Sequence, residues 1–250
     1  MKEANTQTAP LLFEGMISVR AVIEAGSRAI KRLYYTEARA LKHQKELAWL
    51  SHRADEMRFE ITLCPAAELD KITSGNSHGG VAALCDEREL KSPAADDIPE
   101  MGFFLMLEGI EDPFNFGFAV RSAYAAGADG IILPERNWMS SAGTVCRSSA
   151  GASERITIYS AKNADFIDVF KKKGYKIVCA DMPDSHPLWE SDLKKPLLLI
   201  IGGEKRGISR ALLDKADSRV RIDYGREFPE ALSAASASDV LCFEVLRQNR

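Results

Sequence analysis

The stretch FFLMLEGIEDPFNFGFAVRSAYAAGADGIIL, residues 103–133, decides the fold class. It begins as a continuous apolar run, passes an acidic turn, continues through small and aromatic residues, and closes on a second apolar run. Neither run alternates with polar residues, so a strand built from either has both faces covered. Strand, helix and strand in that order are the unit of a parallel α/β sheet with right-handed crossovers. Asn115, Gly117 and Arg121 stand just beyond the first run. Ligands of such sheets bind outside the carboxyl ends of the strands. The amide and the guanidinium therefore have two readings. One is a turn-forming Asn with a structural Arg–carboxylate pair; the other is a pair of groups that face an anionic ligand.

Towards the C-terminus the same alternation continues. Strands are predicted at GIIL (130–133), RITIY (155–159), YKIVCA (175–180), LLLII (197–201) and RVRI (219–222). Helices are predicted over 116–127, 141–150, 162–173, 208–216 and 232–247. Towards the N-terminus the elements are smaller. They are a helix over 15–25, a strand AIKRLYYT (29–36), one long charged helix over 38–56, a strand RFEITLC (58–64), a short helix that starts at Pro65, and a strand GVAALC (80–85). The intervening DERELKSPAADDIPE is charged, carries two prolines and has no periodicity, so it reads as a linker. The expected organisation is a flexible arm over 1–12, a small α/β domain over 13–87, a linker over 88–100 and a larger parallel-sheet domain over 101–250.

Composition narrows the class. A chain of 250 residues with 46% hydrophobic content can bury a full core. The net charge of −3 does not advertise a nucleic-acid binder, although binding requires only a local basic patch. The five cysteines include no C-x-x-C pair, so zinc and disulfide-exchange motifs are not expected, and a reduced compartment fits best. The start, MKEANTQTAP, lacks the apolar centre of a secretion signal, and runs such as LLLII are too short to span a bilayer. A cytoplasmic protein without a membrane segment or metal site is the expectation.

Two further stretches carry chemistry. In LLLIIGGEKRGIS (197–209) a buried run ends at Gly202-Gly203, followed by Glu204 and Gly207. It is neither a P-loop nor a G-x-G-x-x-G turn, which argues against an ordinary dinucleotide enzyme. Glycines there serve either a tight turn or the close approach of backbone to a ligand. In RIDYGREFPEALSAASASDVLCFEVLRQ (221–248) a strand ends in a loop, and a helix rich in Ala and Ser follows. A surface of small residues permits close packing.

Together, in order and spacing, the three stretches resemble the three motifs of the SpoU family of RNA ribose methyltransferases, within the SPOUT superfamily. Asp112-Pro113-Phe114-Asn115-Phe116-Gly117 with Arg121 matches D-P-x-N-x-G and its following Arg. Gly202 through Ser209 matches G-x-E-x-x-G-[LI]-S, and SSAGASE (148–154) matches an S-x-G-A segment. SHGG (77–80) followed by VAAL is similar to the end of the family's ribosomal-protein-like substrate-binding domain.

The resemblance implies a deep trefoil knot in the C-terminal half, a homodimer formed through that half, and S-adenosyl-L-methionine as cofactor. It implies Arg121, Asn115 and Glu204 as catalytic groups, and Gly202, Gly203, Ile222 and Leu232 as cofactor contacts. The implied activity is methyl transfer to a ribose 2′-hydroxyl of tRNA or rRNA. The third motif departs from the usual S-L-N-V-S, with Ala231-Leu232-Ser233-Ala234-Ala235 in its place. That departure keeps a second expectation alive: a non-catalytic RNA-binding or ribosome-associated protein with the same fold.

Overall fold

The computed structural model describes residues 10–74, 78–135, 141–182, 184–203 and 205–250. The chain packs as two units, one drawn from residues 1–89 and 138–155, the other from 90–137 and 156–250. The first unit holds β1 (Leu11–Glu14), α1 (Met16–Ala25), β2 (Ile30–Thr36), α2 (Glu37–Lys42), α3 (Gln44–Met57), β3 (Glu60–Cys64), α4 (Ala66–Ile72) and β4 (Val81–Cys85). Its sheet runs β1-β4-β2-β3, with β4 antiparallel to β1 and β2, and β2 parallel to β3. Phe13, Val22, Leu33, Leu50 and Val81 fill its core. The single helix expected over 38–56 is two helices. His43, at φ −124° and ψ 53°, leaves the helical region, and its carbonyl accepts the N–H groups of Glu46 and Leu47 to start α3.

The second unit begins with β5 (Phe103–Glu108), α5 (Pro113–Ala125) and β6 (Gly130–Pro134). Then α6 (Ala142–Ser148) and α7 (Ala152–Arg155) belong to the first unit. The second unit resumes with β7 (Thr157–Ala161), α8 (Phe166–Lys172), β8 (Lys176–Ala180), the two-residue β9 (His186–Pro187), β10 (Leu197–Gly202), α9 (Arg210–Leu213), β11 (Ser218–Arg221) and α10 (Ala234–Gln248). All seven strands are parallel, in the order β7-β6-β5-β10-β8-β11-β9. Phe103, Phe104 and Leu105 of β5 are buried, each worth about 1.5–3 kcal/mol against exposure. Phe104 meets the edges of Phe170 and Tyr175.

The expected spans and the observed packing differ in three places. Leu11 and Leu12, expected in a flexible arm, pair with β4 as the start of β1. Residues 90–100, expected within a linker, are fastened to the second unit. Ile98 is buried in its core, Lys91 bridges to Tyr159, and the Tyr175 hydroxyl donates to the Pro99 carbonyl. Residues 141–155, expected in the larger domain, pack on α1 and β1. Small residues make this possible: a Cβ on Gly143 would strike the Leu12 carbonyl, and one on Gly151 would strike Ala21. The Arg28 guanidinium grips the buried Glu154 carboxylate through Nε and Nη2, at 2.9 and 3.2 Å.

Candidate functional site

The chain leaves β5 to build β6 and β7 on one side, and later returns with β10 on the other. The crevice beyond the ends of β5 and β10 is thus the topological switch point where α/β sheets bind ligands. Gly202 pairs with Glu108 in register, so the loops after the two strands face one another. At the glycines they meet backbone to backbone. A Cβ on Gly203 would collide with the Gly109 carbonyl, and one on Gly202 with Gly207. The Gly207 N–H donates to the Gly203 carbonyl at 2.9 Å. The two glycines therefore serve close approach of the chain to itself as well as lining a cavity. The Ser209 N–H donates to a Glu108 carboxylate oxygen at 2.8 Å, a second tie between the loops.

A cavity of about 320 Å³ lies beyond β10, β8 and β11, and Gly202, Gly203, Ile222 and Leu232 all line it, with Asp181 and Glu230. That volume is within the range of small-molecule sites. Its outer loop is braced: the Tyr224 hydroxyl accepts the Leu232 N–H at 3.0 Å, and the Tyr224 and Phe228 rings stand 6.0 Å apart. The Arg221 guanidinium donates to Asp223 and to the Ser185 carbonyl, which holds the β8–β9 loop against the end of β11. Burial pushes the Cys179 thiol of β8 up to about 12 and raises that of Cys242 in α10, so neither supplies a thiolate nucleophile near neutral pH.

Ser233 caps α10, accepting the Ser236 N–H at 3.1 Å. Asn and Ser are comparable in that role, so the departure from S-L-N-V-S preserves the cap. The following Ala234, Ala235 and Ser238 are buried, and α10 packs on α5 and β10. This is the close contact that the run of small residues foretold.

A smaller cavity, about 120 Å³, adjoins the first through Ala234, which lines both. Asn115, Glu111 and Lys205 are part of its wall. Asn115 lies in the first turn of α5, because the helix starts three residues before the sequence suggests. Asp112 is its N-cap and accepts the N–H groups of Phe114 and Asn115, with Pro113 in the first turn. Arg121 consequently lies in the third turn. It is exposed, and among the described residues it makes no ion pair or hydrogen bond. Glu204 lies outside the described residues.

The pairs Lys205–Glu111 and Tyr224–Phe228 were not singled out from sequence. For the second, two aromatics in a Gly- and Pro-containing loop just after a strand were an available signal. For the first there was none, since the partners are 94 positions apart.

Residues 102–243 match the SpoU rRNA Methylase family, and residues 12–91 match the RNA 2′-O ribose methyltransferase substrate-binding domain. YacO of Bacillus subtilis, described as a TrmH family tRNA/rRNA methyltransferase, is 30% identical over 93% of this chain and 95% of its own length. The 23S rRNA (guanosine-2′-O-)-methyltransferase RlmB of Shewanella oneidensis is 28% identical over 94% of this chain and 96% of its own. The crystal structure of an AdoMet-bound rRNA methyltransferase from Sinorhizobium meliloti superposes with a TM-score of 0.81 at 25% identity, covering 96% of this chain and 88% of that one. AviRb of Streptomyces viridochromogenes shares the fold at a TM-score of 0.78 and 24% identity, over the whole of this chain and 96% of its own.

Proposed function

The chain belongs to the SpoU rRNA Methylase family, and from that premise we propose that it is a cytoplasmic S-adenosyl-L-methionine-dependent methyltransferase acting on a ribose 2′-hydroxyl of tRNA or rRNA. The observation that carries this reading is the convergence of all three motif loops on two adjoining cavities at the switch point of the sheet. The larger cavity suits the cofactor. Its volume fits a small ligand, its glycines leave backbone groups accessible, and the carboxylates of Asp181 and Glu230 suit a cationic one. Gly202, Gly203, Ile222 and Leu232 are its contacts in this reading. Once bound, the cofactor supplies an electrophilic sulfonium methyl group.

The chain's own residues then have to hold the ribose in line and manage its proton. A guanidinium is a poor base, so Arg121 acts here through its charge and its fork of donors. It binds a backbone phosphate and stabilises the negative charge that develops on the 2′-oxygen. Asn115, fixed by the capped first turn of α5, orients the sugar. Glu204 is the candidate catalytic carboxylate that the second motif supplies. In this reading the first unit takes hold of RNA and the second carries the transfer. The strand order, with β10 between β5 and β8 and α10 returning to α5, is consistent with the trefoil knot that the family resemblance implies.

A homodimer is part of this reading. Phe114, Phe118 and Tyr124 on α5 and Phe243 on α10 are 43–50% exposed, on helices that pack on each other. Arg121 is seven residues from Phe114, on the same helix face. A second copy would cover that apolar surface and leave the guanidinium at its rim. The alternative, a non-catalytic RNA-binding protein, was favoured by the altered third motif; the retained cap at Ser233 weakens that case. Transfer of radiolabelled methyl from S-adenosyl-L-methionine to RNA from cells lacking this protein decides between them.

A further inference from the structure

We propose that Lys205 is a phosphate contact for the RNA substrate, neutralised by Glu111 until RNA displaces it; the inference rests on the RNA-methyltransferase reading above. The Lys205 ammonium donates to a Glu111 carboxylate oxygen at 2.7 Å. Glu111 stands between β5 and α5, Lys205 in the loop after β10, and both line the smaller cavity with Asn115. Their side chains are 50% and 76% exposed. An ion pair so open to water is screened and contributes little to folding. Nor do the loops depend on it, since Gly203 already seats against Gly109 and Ser209 is tied to Glu108.

The pair is therefore exchangeable. A nucleic acid offers phosphates whose condensed counterions are released when a lysine takes their place, a gain that one carboxylate cannot match. A lysine suits the exchange because its flexible stem carries a point charge that can swing between acceptors. Asp112, the neighbouring carboxylate, is occupied as the helix cap and does not compete. An anionic group could also come from the cofactor's carboxylate. We assign the phosphate because Lys205 is among the residues that wall the smaller cavity and is not among those that line the larger one.

The test uses the full chain and its Lys205→Gln and Glu111→Gln variants. Fluorescence anisotropy measures binding of a labelled polyuridylate over a salt series, and calorimetry measures binding of S-adenosyl-L-methionine. Expected are opposite signs. Glu111→Gln binds the RNA about threefold tighter, because the competing carboxylate is gone. Lys205→Gln binds it about threefold weaker or more, with a log–log salt slope shallower by about 0.7, the single-strand value for one phosphate. Cofactor affinity and melting temperature stay unchanged in both. Weaker RNA binding by both variants would mark the pair as a structural latch and overturn the proposal. So would unchanged RNA binding with reduced cofactor affinity in Lys205→Gln. If the wild type binds cofactor but no RNA, the reading beneath the proposal falls with it.

Discussion

Gly203 lies against the carbonyl of Gly109 with no space for a side chain between them. That contact seats the loop of the second motif on the loop of the first. It explains why glycine is needed at a position whose φ is not left-handed. Gly203→Ala is expected to push the loops apart and to lower stability by about 1–3 kcal/mol, the usual cost of forcing volume into a packed site. Cofactor binding should weaken with it. Thermal denaturation and calorimetry measure both; an unchanged variant would show that the loops have slack.

Arg121→Ala should behave in the opposite way. The side chain is exposed and makes no hydrogen bond or ion pair among the described residues. Its removal should leave the melting temperature and cofactor affinity intact, while methyl transfer falls about a hundredfold, the scale of one electrostatic catalytic group. A parallel loss of cofactor affinity would assign it a different role.

Ser233 separates two explanations of the unusual third motif. Ser233→Ala removes the cap of α10 and should cost about 1 kcal/mol, whereas Ser233→Asn keeps it and should leave stability unchanged. Ala231→Ser, combined with the cap-preserving Ser233→Asn, adds volume at the cavity wall that Ala231 lines. It is expected to slow single-turnover transfer rather than accelerate it. A large gain in rate would point to a decayed enzyme.

Glu154 and Arg28 form a buried, doubly hydrogen-bonded pair. Arg28→Ala leaves the carboxylate buried without its cation and should destabilise the protein by about 3–5 kcal/mol. For the same reason a fragment of residues 101–250 is expected to fold poorly, since it retains α6 and α7 but lacks α1, β1 and Arg28. Circular dichroism melts of both would test this; a cooperative, fully stable fragment would contradict it.

The sheet was readable because its strands are continuous apolar runs: FFLML and LLLII became β5 and β10 as neighbours. Helix starts were less so. Asp112-Pro113 is a cap and first-turn signal, yet the first apolar face residue, Phe116, drew the predicted start three residues late. The break at His43 has no local breaker residue to announce it. The packing of 141–155 on α1 depends on contacts more than a hundred positions away, such as Arg28 with Glu154, beyond the reach of periodicity. Of the candidate site, Gly202, Gly203, Ile222 and Leu232 were found through motif order and come together on one cavity. The lining of the smaller cavity by Lys205 and Glu111 required the register of β5 with β10.

Methyl transfer to a ribose 2′-oxygen is the step on which the proposed function stands. Its most direct measurement is a map of 2′-O-methylation in tRNA and rRNA from cells with and without this protein, repeated with the Arg121→Ala variant. At least one ribose is expected to lose its methylation without the protein and to regain it with the wild type but not with Arg121→Ala. Identical maps in all three, with the protein expressed and bound to RNA, would contradict it.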